Sequence, residues 1–167
     1  MSKQKKPRQK AYSPAKHTQR VPPYLRNLPA GRQRVHFLIE SSQERLLRCY
    51  FKTATLSDLN GLFTNLCLTE ELAKNMAEAD VLRKELSHGK EILRNTVLNR
   101  DMTKADFDRL SEIVDLMAEI WSHSSVDEIK RLHAIINTPE FGADTLLPGS
   151  LDELVNPEQR VFVEEAK

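Results

Sequence analysis

The chain has 167 residues, 25 Lys and Arg against 24 Asp and Glu, and a formal net charge of +1. Its prolines fall only at positions 7 to 29 and 139 to 157, which leaves room between them for one domain of roughly 100 residues. No apolar run approaches the ~18 residues that a spanning helix needs, and no apolar stretch follows the basic start Lys3-Gln4-Lys5-Lys6. Neither a membrane span nor a secretory signal is therefore expected, and a cytoplasmic protein is.

Residues 1 to 34 hold ten bases and no acid: Lys3, Lys5, Lys6, Arg8, Lys10, Lys16, Arg20, Arg26, Arg32 and Arg34. The other 133 residues carry fifteen bases against twenty-four acids, so a near-neutral total conceals a +10 arm joined to a −9 body. Charge segregated in this way favours a polyanionic partner. Pro7, Pro14, Pro22, Pro23 and Pro29 remove backbone donors along the arm, which predicts an extended segment rather than a continuous helix. Such an arm can follow a phosphate backbone, and Tyr12 and Tyr24 are available to stack on unpaired bases. The same residues admit other readings, namely an import signal at Lys5-Lys6-Pro7-Arg8, a solubilising tail or contact with an acidic protein surface. Sequence-specific base reading is not expected, since no recognition helix, zinc finger or RNP-type motif accompanies the arm. The segment Val21-Pro22-Pro23-Tyr24-Leu25-Arg26-Asn27-Leu28-Pro29 mixes proline with apolar groups and is expected to dock on the body or in a partner's groove.

From Ala30 to Thr138 there is no proline, and apolar residues recur at helical intervals. Helices are predicted near 36 to 52, 56 to 68, 70 to 87, 90 to 100, 104 to 122 and 126 to 137. Hydroxyl-then-acid pairs mark their starts, as in Ser41/Glu44, Thr55/Asp58, Thr103/Asp106 and Ser125/Glu128. The clearest stripe is Phe107, Leu110, Ile113, Val114, Met117, Ile120 and Trp121. Leu72, Met76, Ala79, Leu82, Leu86, Leu93 and Val97 keep nearly one face across Gly89, so the third and fourth helices can fuse into one rod with Gly89 as a weak point. Thr55 to Ala73 also aligns without gaps on Thr103 to Trp121, sharing Thr55/Thr103, Asp58/Asp106, Leu62/Leu110, Leu68/Leu116 and Glu71/Glu119. Either a duplicated hairpin or the shared habit of amphipathic helices accounts for this. The fold class expected is all-α, a bundle of four to six helices over residues 35 to 137.

Residues 138 to 167 hold seven acids and two bases and read as a loosely ordered acidic tail. Its apolar islands, Leu146-Leu147-Pro148 and Leu151 to Val155, are expected to dock on the same chain or on a partner. Val161-Phe162-Val163 is a short extended run that can add an edge strand.

Chemistry is sparsely represented. Cys49, Cys67, His36, His88, His123 and His133 show no metal-ligand spacing, and no GxxxxGK[ST] or GxGxxG loop is present, so neither a metal nor a nucleotide cofactor is expected. The two cysteines read as small buried thiols. Glu112, Asp115 and Glu119 share a helix face, which is the pattern of an ordinary solvated surface. Two-metal chemistry would need them in a pocket with acids from other helices, and a third reading has this face hold the arm's own bases. No enzyme is expected.

With the arm Lys5-Lys6-Pro7-Arg8-Gln9-Lys10, the helix start Thr55 to Asp58 and the helical pair Leu93 to Ile136, the chain resembles short helical proteins of proteobacterial phages, prophages and plasmids. The resemblance covers most of residues 1 to 136 and leaves out 138 to 167. It implies a mobile-element accessory protein and carries no catalytic residue. Two functional classes follow. One is an accessory protein whose arm gives non-specific affinity for nucleic acid while the bundle recognises a nucleic-acid-bound machine. The other is a protein-only adaptor or inhibitor that masks a host protein. A homodimer would double the arms and strengthen polyanion binding through effective concentration.

Overall fold

Helical periodicity over the proline-free stretch becomes five helices in the computed structural model, which describes residues 30–136, 147 and 160–162. They are α1 (Ala30–Tyr50), α2 (Leu56–Ala73), α3 (Ala79–Asn99), α4 (Lys104–His123) and α5 (Val126–Ile136). The described residues contain no strand, so the body is an all-α bundle as predicted.

Helix α1 opens at Ala30, ahead of the predicted residue 36, directly after the last residue of the arm that lacks a backbone donor. Arg32 and Arg34 are therefore helical and belong to the bundle's edge rather than to an extended arm. The inward face of α1 runs through Val35, Ser42, Leu46 and Cys49, all buried. Ser41 and Glu44, expected to mark a start, lie inside this helix, where the Ser41 hydroxyl donates back to the Leu38 carbonyl at 3.1 Å.

The other start signals hold. Thr55 and Asp58 form a reciprocal capping box on α2, Thr103 accepts from the Asp106 amide at 3.1 Å on α4, and Ser125 exchanges bonds with Glu128 ahead of α5. Helix α2 runs on to Ala73, because Leu72 and Ala73 continue the buried series Leu59, Leu62, Phe63, Leu66 and Thr69 at steps of three and four. Residues 74–78 make the turn, ending in Glu78 at φ 64°, and the two rods expected around Gly89 are the single α3.

Gly89 does not break α3 because it faces inward. A Cβ placed there would lie 3.0 Å from Ile113 Cγ2 and 3.2 Å from Leu66 Cδ1, so the missing side chain lets α3 close on α2 and α4. Short connections alternate the direction of α1 to α4. Arg32, early in α1, bonds Ser122, late in α4, while Lys52 beyond the end of α1 meets Asp101 and Met102 ahead of α4. The result is an up-down-up-down bundle. Its central helix α2 packs against the other four, and α5 lies across α1 and α2 through buried Ile129 and Leu132. Burying each such Leu or Ile side chain contributes about 1.5–3 kcal/mol.

Within this apolar interior runs a polar ladder joining three helices. Asn65 Nδ2 donates to Ser42 Oγ at 2.7 Å, Ser42 Oγ to the Leu38 carbonyl at 2.8 Å, Thr69 Oγ1 to the Asn65 carbonyl at 2.7 Å and Trp121 Nε1 to Thr69 Oγ1 at 2.8 Å. Each polar group is satisfied, so the ladder fixes register without an unpaired buried atom.

Candidate functional site

The bundle presents two distinct ends, set apart by α1, whose 21 residues rise about 30 Å at the usual helical rise. At one end the chain enters from the basic arm. Arg32 Nη1 donates to the Ser122 carbonyl at 2.8 Å, placing a guanidinium on the negative end of the α4 dipole. Arg34 is exposed one step further on, as is His36. Of the ten arm bases, Lys3, Lys5, Lys6, Arg8, Lys10, Lys16, Arg20 and Arg26 lie outside the described residues. Arg32 is committed to the bundle, where it anchors the root of the arm.

The other end is built from the α1–α2 turn, the α3–α4 loop and the first turn of α4. Here Leu47, Tyr50 and Phe51 stand largely in solvent, with Phe51 65% exposed. Tyr50 meets Phe51 edge to face at 5.2 Å between ring centres and lies tilted at the same distance from Phe107. Beside these rings is an apolar cleft of about 160 Å³ between Cys49, Tyr50, Lys52, Met102, Thr103, Lys104 and Phe107.

Lys52 holds this end together at a conformational cost. Its φ of 56° is the left-handed value that closes α1, with the Thr53 amide bonding the Arg48 carbonyl at 2.9 Å and the Lys52 amide the Cys49 carbonyl at 3.1 Å. Glycine is usual at such a position. The lysine side chain offsets the strain by reaching Asp101 Oδ1 at 2.5 Å, the Met102 carbonyl at 2.8 Å and the face of Phe162 at 4.8 Å. That contact holds the Asp101 carboxyl below its ordinary range. Val161 completes the corner, its amide bonding the Ala54 carbonyl at 3.0 Å while Thr55 and Arg160 form a single antiparallel bridge. Val161, Phe162 and Leu147 are buried, and the Leu147 amide donates to Asn60 Oδ1 at 3.0 Å. The described part of the tail thus docks on its own chain.

Little here is arranged for covalent chemistry. Burial pushes the Cys49 thiol up to about 12, with the Asp58 charge adding to the effect, so this sulfur stays protonated and unreactive. Cys67 is half-buried on α2. Glu112, Asp115 and Glu119 all stand in solvent, and Glu112 is engaged by Arg109 at 2.6 Å. The half-buried acid Glu70 is paired with Lys90 at 2.6 Å and Arg83 at 3.8 Å. Among the described residues no three His, Cys, Asp or Glu side chains converge on a point, and no helix is long and apolar enough to cross a membrane. The aromatic cleft was not singled out from sequence, although Tyr50-Phe51 at a helix end, followed by Lys52, was a visible signal. No family model matches the chain, and no curated protein or solved structure matches it either.

Proposed function

We propose that the chain is a non-catalytic accessory protein of a mobile genetic element that acts in the cytoplasm. Its basic arm contacts nucleic acid without sequence preference, and its bundle recognises the machine bound there. The observation that carries this reading is the segregation of charge, ten bases and no acid in the first 34 residues against a body of net −9. A cationic segment gains affinity for phosphates through counterion release and needs no shaped pocket. The anchoring of Arg32 on Ser122 supports a division of labour, since it ties the root of the arm to a rigid body at the end remote from the aromatic cleft.

The test is fluorescence-anisotropy binding of random single-stranded and duplex oligonucleotides at about 50 to 300 mM salt. If six arm bases each neutralise a duplex phosphate, log affinity falls with log salt at a slope of about −5. A full-length variant with Lys3, Lys5, Lys6, Arg8 and Lys10 replaced by Ala should lose most of that slope. Absence of binding by the parent chain at low salt defeats the reading. A protein-only adaptor or inhibitor is the second reading, and the exposed rings of Tyr50 and Phe51 beside the apolar cleft are the observation that favours it.

A further inference from the structure

We propose that the aromatic end of the bundle is a two-fold interface that seats a second copy of the same chain. The argument begins with a mismatch of exposure and chemistry. Leu47 and Tyr50 on the last turn of α1 and Phe51 just beyond it follow one another at helical spacing and remain 55%, 60% and 65% exposed, while Val35, Leu46 and Cys49 of the same helix are buried. Three large apolar side chains grouped at one helix end are an association surface rather than scattered surface hydrophobes.

Two features identify the occupant. The first is shape. The neighbouring cleft holds about 160 Å³ and is apolar on most of its walls, and an apolar cavity of about 150 Å³ accepts a benzene-sized ring. Phe51 is such a ring, is exposed with Tyr50 against one edge, and is not part of the cleft wall. Knob and hole therefore lie side by side on one patch, which is the requirement for an isologous contact in which each copy fills the other. The second is charge. The bases at the cleft, Lys52 and Lys104, stand beside Asp101 and Asp108 at 2.5 Å each, so the rim is neutral with both signs alternating. A neutral rim gives a polyanion no attraction, whereas a second copy brings an acid for each base and a base for each acid. Arg32 is at the far end of α1, so this contact leaves the two arm roots at opposite extremities of the pair.

Sedimentation velocity on the full chain, from about 1 to 100 µM, tests the proposal alongside Phe51→Asp, Tyr50→Ala and, at the other end of the bundle, Val81→Asp. The expected result is a concentration-dependent dimer whose dissociation constant rises about thirtyfold or more in Phe51→Asp and Tyr50→Ala, the scale of an interface hot spot, with melting unchanged at concentrations where the parent is monomeric. Val81→Asp should dimerise as the parent does, although Val81 is also exposed. A parent chain that stays monomeric throughout overturns the proposal, as does a dimer indifferent to both aromatic substitutions. A monomer in which Tyr50→Ala weakens oligonucleotide binding also overturns it and makes the rings a base-stacking platform instead. The oligonucleotide titration of the arm variant is independent of this result, so failure of one reading is distinguishable from failure of the other.

Discussion

Lys52 and Cys49 stand three residues apart and show how differently a side chain can be held at the same corner. The left-handed backbone at Lys52 costs a non-glycine residue about 1–2 kcal/mol, and the side chain offsets this through Asp101, the Met102 carbonyl and Phe162. Lys52→Ala keeps the strain and loses the contacts, while Lys52→Gly loses both. Urea denaturation should therefore place the glycine variant about 1 kcal/mol above the alanine variant, the usual relief at such a site. For Cys49 the sign follows from linkage. The folded thiol holds its proton up to about pH 12, whereas the unfolded thiol releases it from its ordinary value of 9.0. The unfolded state then binds fewer protons, so stability is full below pH 9 and is lost as pH rises toward 12. Cys49→Ala should flatten the melting temperature across that window. The burial of Cys49 was expected from its apolar neighbours, but the left-handed backbone was not, because a lysine at such a position leaves no mark on the sequence pattern.

At the scale of the elements, the hydroxyl-acid pairs Thr55/Asp58, Thr103/Asp106 and Ser125/Glu128 marked three starts that the structure confirms, since local bonds need only local residues. The stripe from Leu110 to Trp121 was legible for the same reason and is buried throughout its inward face. What misled was polar chemistry in the interior. Ser42, Asn65 and Thr69 interrupt apolar stripes yet are buried, because each has a partner across or along a helix. Their presence hid the full extent of α2 and left its end indistinct. Gly89 was readable only as a weak point, whereas its role is steric. Alanine there gains helix propensity and presses lightly on Ile113, but Gly89→Val forces two more methyl groups into a contact already at 3.0 Å. That variant should lose about 1–3 kcal/mol in a denaturant titration, the usual cost of overpacking.

For the molecule as a whole, stability and charge reside in different parts of the chain. Leu110→Ala empties a fully buried site between helices and should cost about 2–5 kcal/mol. Arg8→Ala should leave melting unchanged, and matched thermal scans of the two variants check that division. The bundle itself was foreseeable from periodicity, as was the continuity across Gly89, but the rod starts at Ala79 rather than near residue 70, because Leu72 belongs to α2 and residues 74–78 turn. The cleft was not, because it is assembled from the end of α1 and the start of α4, some fifty residues apart in sequence, and only the antiparallel pairing of those helices brings them together.

The polar ladder has one more consequence. The chain has a single tryptophan, Trp121, whose buried indole bonds Thr69 and whose neighbour Ser122 offers the carbonyl that Arg32 grips. Nature has thus placed an intrinsic optical probe at the arm's root. An indole buried to this degree should emit to the blue, and a red shift on adding polyanion, with no dye attached, would register that corner opening.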